Sequence, residues 1–412
     1  MTRTLLRNAR IFDGLRDGLS EPGALLIGDD RILAVGAEAD TAAADIAIDL
    51  EGRTVMPGLI DAHFHAYASR ADLVALEKLP PTYVAQTGRV IMEDALRRGF
   101  TTIRDVGGAD YGMWRALQEG VFEGPRLFYC GRAFSQSGGH GDIRAPHEDE
   151  SVCGCAGHGL LAERVDGVDA IRRAAREALR KGAHHLKIFV SGGIASPSDP
   201  IWMMQFAEDE IVAVVDEAAR RRAYVAAHAY TPETITRAVR LGVRTIEHGN
   251  LIDRATAALV VKAGAYVVPT LATYEAFRRS GLEDGAPKHL LDKLNDVYGQ
   301  GIEAVRTCRE AGVKLGFGTD LLGPMHKHQR DEFRLRAQVE TPFEVLNSAT
   351  AVNAEIVGMT GQLGTIAAGA YADMLVIDGN PLADLSLLYE DSVAIHSIWK
   401  AGRRVSTSVS RD

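Results

Sequence analysis

The stretch GLIDAHFHAY, residues 58–67, sets His63 and His65 one residue apart behind a short apolar run. In a β-strand, residues i and i+2 share a face, so the two imidazoles stand side by side. That arrangement suits a metal ion, although two histidines can also be packing. Lys187, His228, His248 and Asp320 each lie in or directly after a later β-rich run. Taken singly, each has an ordinary explanation: a hydrogen-bonded structural histidine, a lysine paired with a carboxylate, an aspartate capping a helix. Their recurrence at the ends of several strands is much harder to obtain by chance. Four imidazoles and a carboxylate suit a divalent transition metal such as zinc. The set could serve one ion with an open position, or two. No second carboxylate stands out at a strand end to bridge a pair.

Eight β-rich runs could position these residues: GLIDAHFH, FTTIRDVG, PRLFYCGRAF, AHHLKIFVSGG, AYVAAHAY, VRTIEHGN, AYVVPTL and KLGFGTD. Helical stretches such as GVDAIRRAAREALRKG and EDEIVAVVDEAARRR alternate with them, and several end in Gly, a common helix stop. This alternation predicts a parallel sheet with helices outside it, at the size of a (β/α)8 TIM-like barrel. Residues 1–56 and 359–412 read instead as short strands and turns, with GDDRI as a hairpin turn. The expected organisation is α/β: a barrel over 57–358 and a small β-sandwich domain built from both termini. In such a barrel, chemistry collects at the C-terminal ends of the strands, where the candidate ligands fall.

The 412 residues are 46% hydrophobic and 25% charged, enough for a large core. A net charge of −9 argues against a general binder of nucleic acid or anionic membrane. Four cysteines form no disulfide framework, which fits a reducing compartment. No apolar run reaches the ~18 residues of a membrane helix. MTRTLLRNARIFDG lacks the apolar centre of a signal peptide, so a cytoplasmic location is expected.

GLIDAHFH, LKIFVSGG, AAHAY, TIEHG and GFGTD resemble the metal motifs of the amidohydrolase superfamily, and VMPGLID and GTIAAGAYADMLVID match its flanking β segments. SGGHGD and IASPSDP make the chain similar to the imidazolonepropionase-like and prolidase-like branch. That branch includes Xaa-Pro dipeptidases, N-acyl amino acid carboxypeptidases and ochratoxin-hydrolysing amidases. The resemblance implies two divalent metal ions, with zinc the first expectation. His63, His65 and Asp320 would hold the more buried ion, and His228 and His248 the more exposed one. Lys187 would bridge them as a CO2-derived carbamate. It also implies a hydrolase of an amide or peptide bond in a small-molecule substrate, with Asp320 accepting and returning a proton, and a homo-oligomer. A cyclic-amide hydrolase and a non-catalytic binding protein on the same fold are the alternatives. A deaminase is disfavoured, because such relatives usually lack the bridging lysine.

His140 and Tyr230 are the substrate-contact candidates. His140 follows strand three among glycines and could instead be a loop histidine held by Asp142. Tyr230 shares the face of His228 and lies nearer the mouth. The 135–160 region reads as a lid; the spacing of His147, Cys153, Cys155 and His158 matches no standard zinc motif. His185 reads as packing, His326 and His328 as rim residues, and Arg104-Asp105 as structural ion pairs.

Overall fold

In the computed structural model, which describes residues 2–145, 147–148, 159–389 and 394–406, the central apolar runs become short parallel strands. Leu59–Phe64 and Phe100–Asp105 are buried along their whole length, as strands are when helices cover one face and a packed barrel interior the other. Barrel strands one to eight are Leu59–Phe64, Phe100–Asp105, Arg126–Tyr129, Leu186–Phe189, Val225–Ala229, Thr245–His248, Tyr266–Val268 and Lys314–Leu315. Strands one to three pair in parallel, as do strands four to eight. Two backbone hydrogen bonds close the ring. The His184 N–H donates to the Tyr129 carbonyl and the Ala62 N–H donates to the Phe317 carbonyl, both at 2.8 Å. The fold is the expected (β/α)8 barrel.

The surrounding helices follow their apolar spacing. Val168–Arg180 buries Ile171, Ala174, Ala175 and Leu179, one stripe at helical period. Its Arg172 and Arg176 meet Glu217 of the next helix at 2.9 and 2.7 Å. Arg254–Ala263 and Gly301–Ala311 stop at Gly264 (φ 67°) and Gly312 (φ 80°), in the left-handed conformation that glycine adopts without penalty.

Strands from both ends of the chain form one further sheet. Gly23–Gly28 and Arg31–Val35 make the antiparallel hairpin expected at GDDRI. Thr54–Pro57, just before barrel strand one, pairs with Arg3–Ile11 on one side and Met374–Ile377 on the other. Among the described residues, no helix is long and apolar enough to cross a membrane.

One buried side chain secures the seam between strands one and eight. Asn353 accepts from the Phe317 N–H at 3.0 Å and donates to the Ile60 and Phe317 carbonyls at 2.6 and 2.8 Å. A leucine there would leave the Phe317 N–H without its acceptor and the Ile60 carbonyl without the Asn353 donor, while the Phe317 carbonyl keeps the Ala62 N–H; a buried group left unpaired costs roughly 1–3 kcal/mol. Asn353→Leu is expected to lower the thermal midpoint by several degrees in calorimetry. An unchanged midpoint would remove Asn353 from the closure.

Candidate metal centre

The alternation of strand one turns Asp61 and His63 to one side, and both are buried. The Asp61 carboxylate accepts from Thr319 Oγ1 at 2.6 Å and Gln329 Nε2 at 2.9 Å, which draws the end of strand eight against strand one. Gly318 permits that approach: a Cβ there would lie 2.6 Å from His63 Cβ. Asp320 therefore sits with Oδ1 3.1 Å from His65 Nε2 and 3.4 Å from His63 Nε2. Among the described residues, His63, His65 and Asp320 are the group placed to hold a metal ion. His228, His248 and Lys187 line the same cavity of about 420 Å³. The imidazole rings of His63 and His248 lie 4.9 Å apart, and those of His248 and His228 lie 4.6 Å apart.

Two of these residues are held in backbone conformations that side chains disfavour. His248 has φ 72° and Asp320 φ 53°, each at a cost of order 1–3 kcal/mol. The turn at His248 breaks the strand alternation. Glu247 and His248, though adjacent, both reach His63.

Each of the four imidazoles has one nitrogen fixed by the protein. His63 Nδ1 meets Glu247 Oε2 at 2.8 Å, and His65 Nδ1 meets the Gly107 carbonyl at 2.8 Å. His228 Nε2 meets the Gly192 carbonyl at 3.1 Å, and His248 Nδ1 meets Thr270 Oγ1 at 2.8 Å. A carbonyl or carboxylate can only accept, so the first three contacts put the proton on the named nitrogen. The lone pair is then left on His63 Nε2, His65 Nε2 and His228 Nδ1. Holding the far nitrogen in this way is how proteins orient metal-ligating histidines. The donor set thus fits a divalent metal with nitrogen and oxygen ligands.

The electrostatics agree. Burial drives the imidazoles of His228 and His248 well below their ordinary value, so both are neutral. Lys187 is 2% exposed. Its burial outweighs the attraction of Glu247 and Asp320 and lowers its amine to about 8.

Several expectations are corrected. His140 is held not by Asp142 but by Ser196 Oγ at 2.9 Å and Asp199 Oδ2 at 3.2 Å, and its ring stacks on His228 at 4.3 Å. Asp142 pairs with Arg144 instead. Tyr230 lines the cavity as expected, with its ring stacked on His248 at 5.2 Å. Arg104 does form a buried ion pair, with Glu247, but Asp105 accepts backbone N–H groups from Ala66, Gly107 and Ala109. His185 is packing, stacked on Tyr224. His326 is buried against Phe64 rather than at the rim. Cys153, Cys155 and His158 lie outside the described residues. Glu247 is the carboxylate absent from the sequence reading; simple alternation would point it away from the ligand that follows it. Thr270, Gly107 and Gly192 were equally invisible, since two of them act through backbone carbonyls.

A neutral amide in place of the Glu247 carboxylate weakens the bond that orients His63. Glu247→Gln is expected to weaken metal binding 10–100-fold, measured by chelator competition. Unchanged affinity would show that His63 needs no such anchor.

Comparisons with known proteins agree over nearly the whole chain. The model of the amidohydrolase family matches residues 54–405. Ochratoxinase of Aspergillus niger is 31% identical over 417 aligned residues, spanning 95% of this chain and 85% of that protein. The crystal structure of a prolidase complexed with N-methylphosphonate-L-proline is 46% identical with a TM-score of 0.95, covering 98% of this chain and 99% of that one. A Xaa-Pro dipeptidase structure with bound methionine is 28% identical, with a TM-score of 0.87 over 98% and 100% of the two chains. With its barrel, its cavity and this match, the chain belongs to the amidohydrolase family.

Proposed function

We propose that this chain is a metal-dependent hydrolase of the amide or peptide bond of a dipeptide or N-acyl amino acid. The observation that carries the reading is the set of four anchored imidazoles around one cavity, with Asp320 and Lys187 among them. His63, His65 and Asp320 would hold one divalent ion, zinc being the first candidate, and His228 and His248 a second. A carbamate formed from Lys187 and CO2 would join them. Such a pair, when bound, supplies a nucleophilic water at neutral pH and polarises the substrate carbonyl. The lowering of Lys187 to about 8 raises the fraction of neutral amine that carbamate formation needs.

The remaining roles belong to the chain's own side chains. Asp320 takes up a proton on a carboxylate oxygen and returns it to the leaving nitrogen. Tyr230 and His140 line the cavity beside His228. With its Nδ1 engaged by Ser196 and Asp199, His140 keeps Nε2 for the substrate. Leu73, Leu161, Ile194 and Phe277 give the cavity an apolar wall, which suits an apolar side chain or acyl group. The prolidase and Xaa-Pro dipeptidase relatives support a dipeptide as the substrate class.

The zinc-loaded protein is expected to cleave members of a panel of dipeptides, Xaa-Pro dipeptides and N-acyl amino acids. Cleavage of cyclic amides alone would overturn the substrate assignment. Asp320→Asn is expected to lower kcat by about 10²–10⁴-fold while keeping most of the bound metal by elemental analysis. Near-normal turnover would remove Asp320 from proton transfer.

A further inference from the structure

Lys293 sits on the helix Lys288–Leu294, which follows strand seven and is anchored by its buried Leu290 and Leu294. Its ammonium reaches the loop after strand four. Nζ donates to the carbonyls of Gly193 at 3.0 Å, Ser196 at 2.8 Å and Asp199 at 2.5 Å, and lies 3.5 Å from Asp199 Oδ1. An ammonium has three protons, and one turn of chain takes all three. The sequence explains why that turn needs a donor from outside. It reads GGIASPSDP, residues 192–200, and Pro197 and Pro200 have no N–H to offer. Three carbonyls drawn to one point turn the negative ends of their dipoles toward each other, and the cation between them holds them there.

The same three residues hold the His140 ring. Its Nδ1 lies 2.9 Å from Ser196 Oγ and 3.2 Å from Asp199 Oδ2. The Ser196 hydroxyl gives its one proton to Asp199 Oδ1, so toward His140 it can only accept. Nδ1 therefore carries a proton, and Nε2 is the atom left for the cavity that His140 lines. Gly193 lies against the ring itself, where a Cβ would collide with it. The Gly193 N–H and Gln205 Nε2 both donate to Asp199 Oδ2, at 3.0 and 3.1 Å, and Gln205 Oε1 accepts from the His140 N–H at 3.0 Å. Ser196, Asp199 and Gln205 are fully buried. We propose that Lys293 is a positioning residue, a tethered cation that sets the loop at residues 193–199 and thereby fixes where the His140 imidazole meets the substrate. Without the ammonium, the three carbonyls separate, and the groups that hold His140 move with them.

The proposal rests on the amide-hydrolase reading, and the two fail differently. A wild-type enzyme that turns over none of the amide panel overturns that reading. The clamp is tested with Lys293→Met and Lys293→Ala. Lys293→Met is expected to lower kcat/KM about 10²-fold, the scale of a catalytic group misplaced by about 1 Å, with metal content unchanged. In a His140→Ala background, itself slower, Lys293→Met should cost nothing further, because Lys293 acts only through His140. A tethered cation can be replaced by a free one that donates. Methylammonium chloride should therefore restore most of the activity lost in Lys293→Ala. Tetramethylammonium chloride at the same ionic strength, which has no N–H, should not. Amide hydrogen exchange needs no turnover: residues 190–206 should exchange faster in Lys293→Met, while strands one and eight keep their protection. Three results would each overturn the clamp and leave the hydrolase reading in place. One is a Lys293→Met enzyme with unchanged kcat/KM or unchanged exchange at 190–206. Another is a Lys293→Ala enzyme that recovers no more in methylammonium than in tetramethylammonium. The third is losses that multiply with His140→Ala.

Discussion

A fully buried carboxylate, Glu247, is the constraint around which the site is arranged. An isolated charge at that depth would be prohibitively costly, so every neighbour is committed to it. Arg104 donates to both of its oxygens, Thr245 Oγ1 adds a bond at 2.6 Å, and His63 Nδ1 completes the shell. Arg104 also donates to the Ala62 carbonyl and to Thr245. One polar layer thus ties strands one, two and six together across the barrel interior. Burial pushes the Glu247 carboxyl up, but Arg104, His63 and Lys187 outweigh it and hold it well below its ordinary value. Breaking such a buried pair by removing one partner typically costs about 3–5 kcal/mol, so the orientation of His63 is coupled to the integrity of the barrel.

The same division recurs around the cavity. Groups behind the rings, such as the Gly107 and Gly192 carbonyls, Thr270 and Asp199, hold the far side of each imidazole. The near side is left for chemistry. Backbone strain is concentrated at His248 and Asp320, where the chain departs from regular strand geometry to turn a side chain inward. Gly318 at the strand-eight end and Gly193 in the loop after strand four make room for this. A Cβ at either position would collide with His63 or with the His140 ring.

Much of this was legible in the sequence because it depends on periodicity. The eight strands, their parallel order and the inward placement of His63, His65, Lys187 and His228 follow from apolar runs and strand alternation, and Asp320 was placed by its position at the end of the eighth run. The rest depends on contacts between residues far apart in the chain. Glu247 was hidden because alternation puts it opposite His248, and only the left-handed backbone at His248 brings both inward. The true partners of His140, Ser196 and Asp199, lie 56 and 59 residues away in sequence, whereas Asp142 was merely near in sequence. Asp105 looked like half of an ion pair because it adjoins Arg104, but consecutive strand residues face opposite ways and meet different neighbours.

The anchored nitrogens make one claim that can be examined directly, which is the choice of atom on each ring. Crystals grown with zinc and measured at the zinc absorption edge would locate any bound ions by their anomalous signal. The expected result is two peaks in the cavity, one ligated by His63 Nε2, His65 Nε2 and Asp320, the other by His228 Nδ1 and His248 Nε2, with Lys187 between them. Cavity peaks ligated through the opposite ring nitrogens, or no peak in the cavity of zinc-saturated protein, would contradict it.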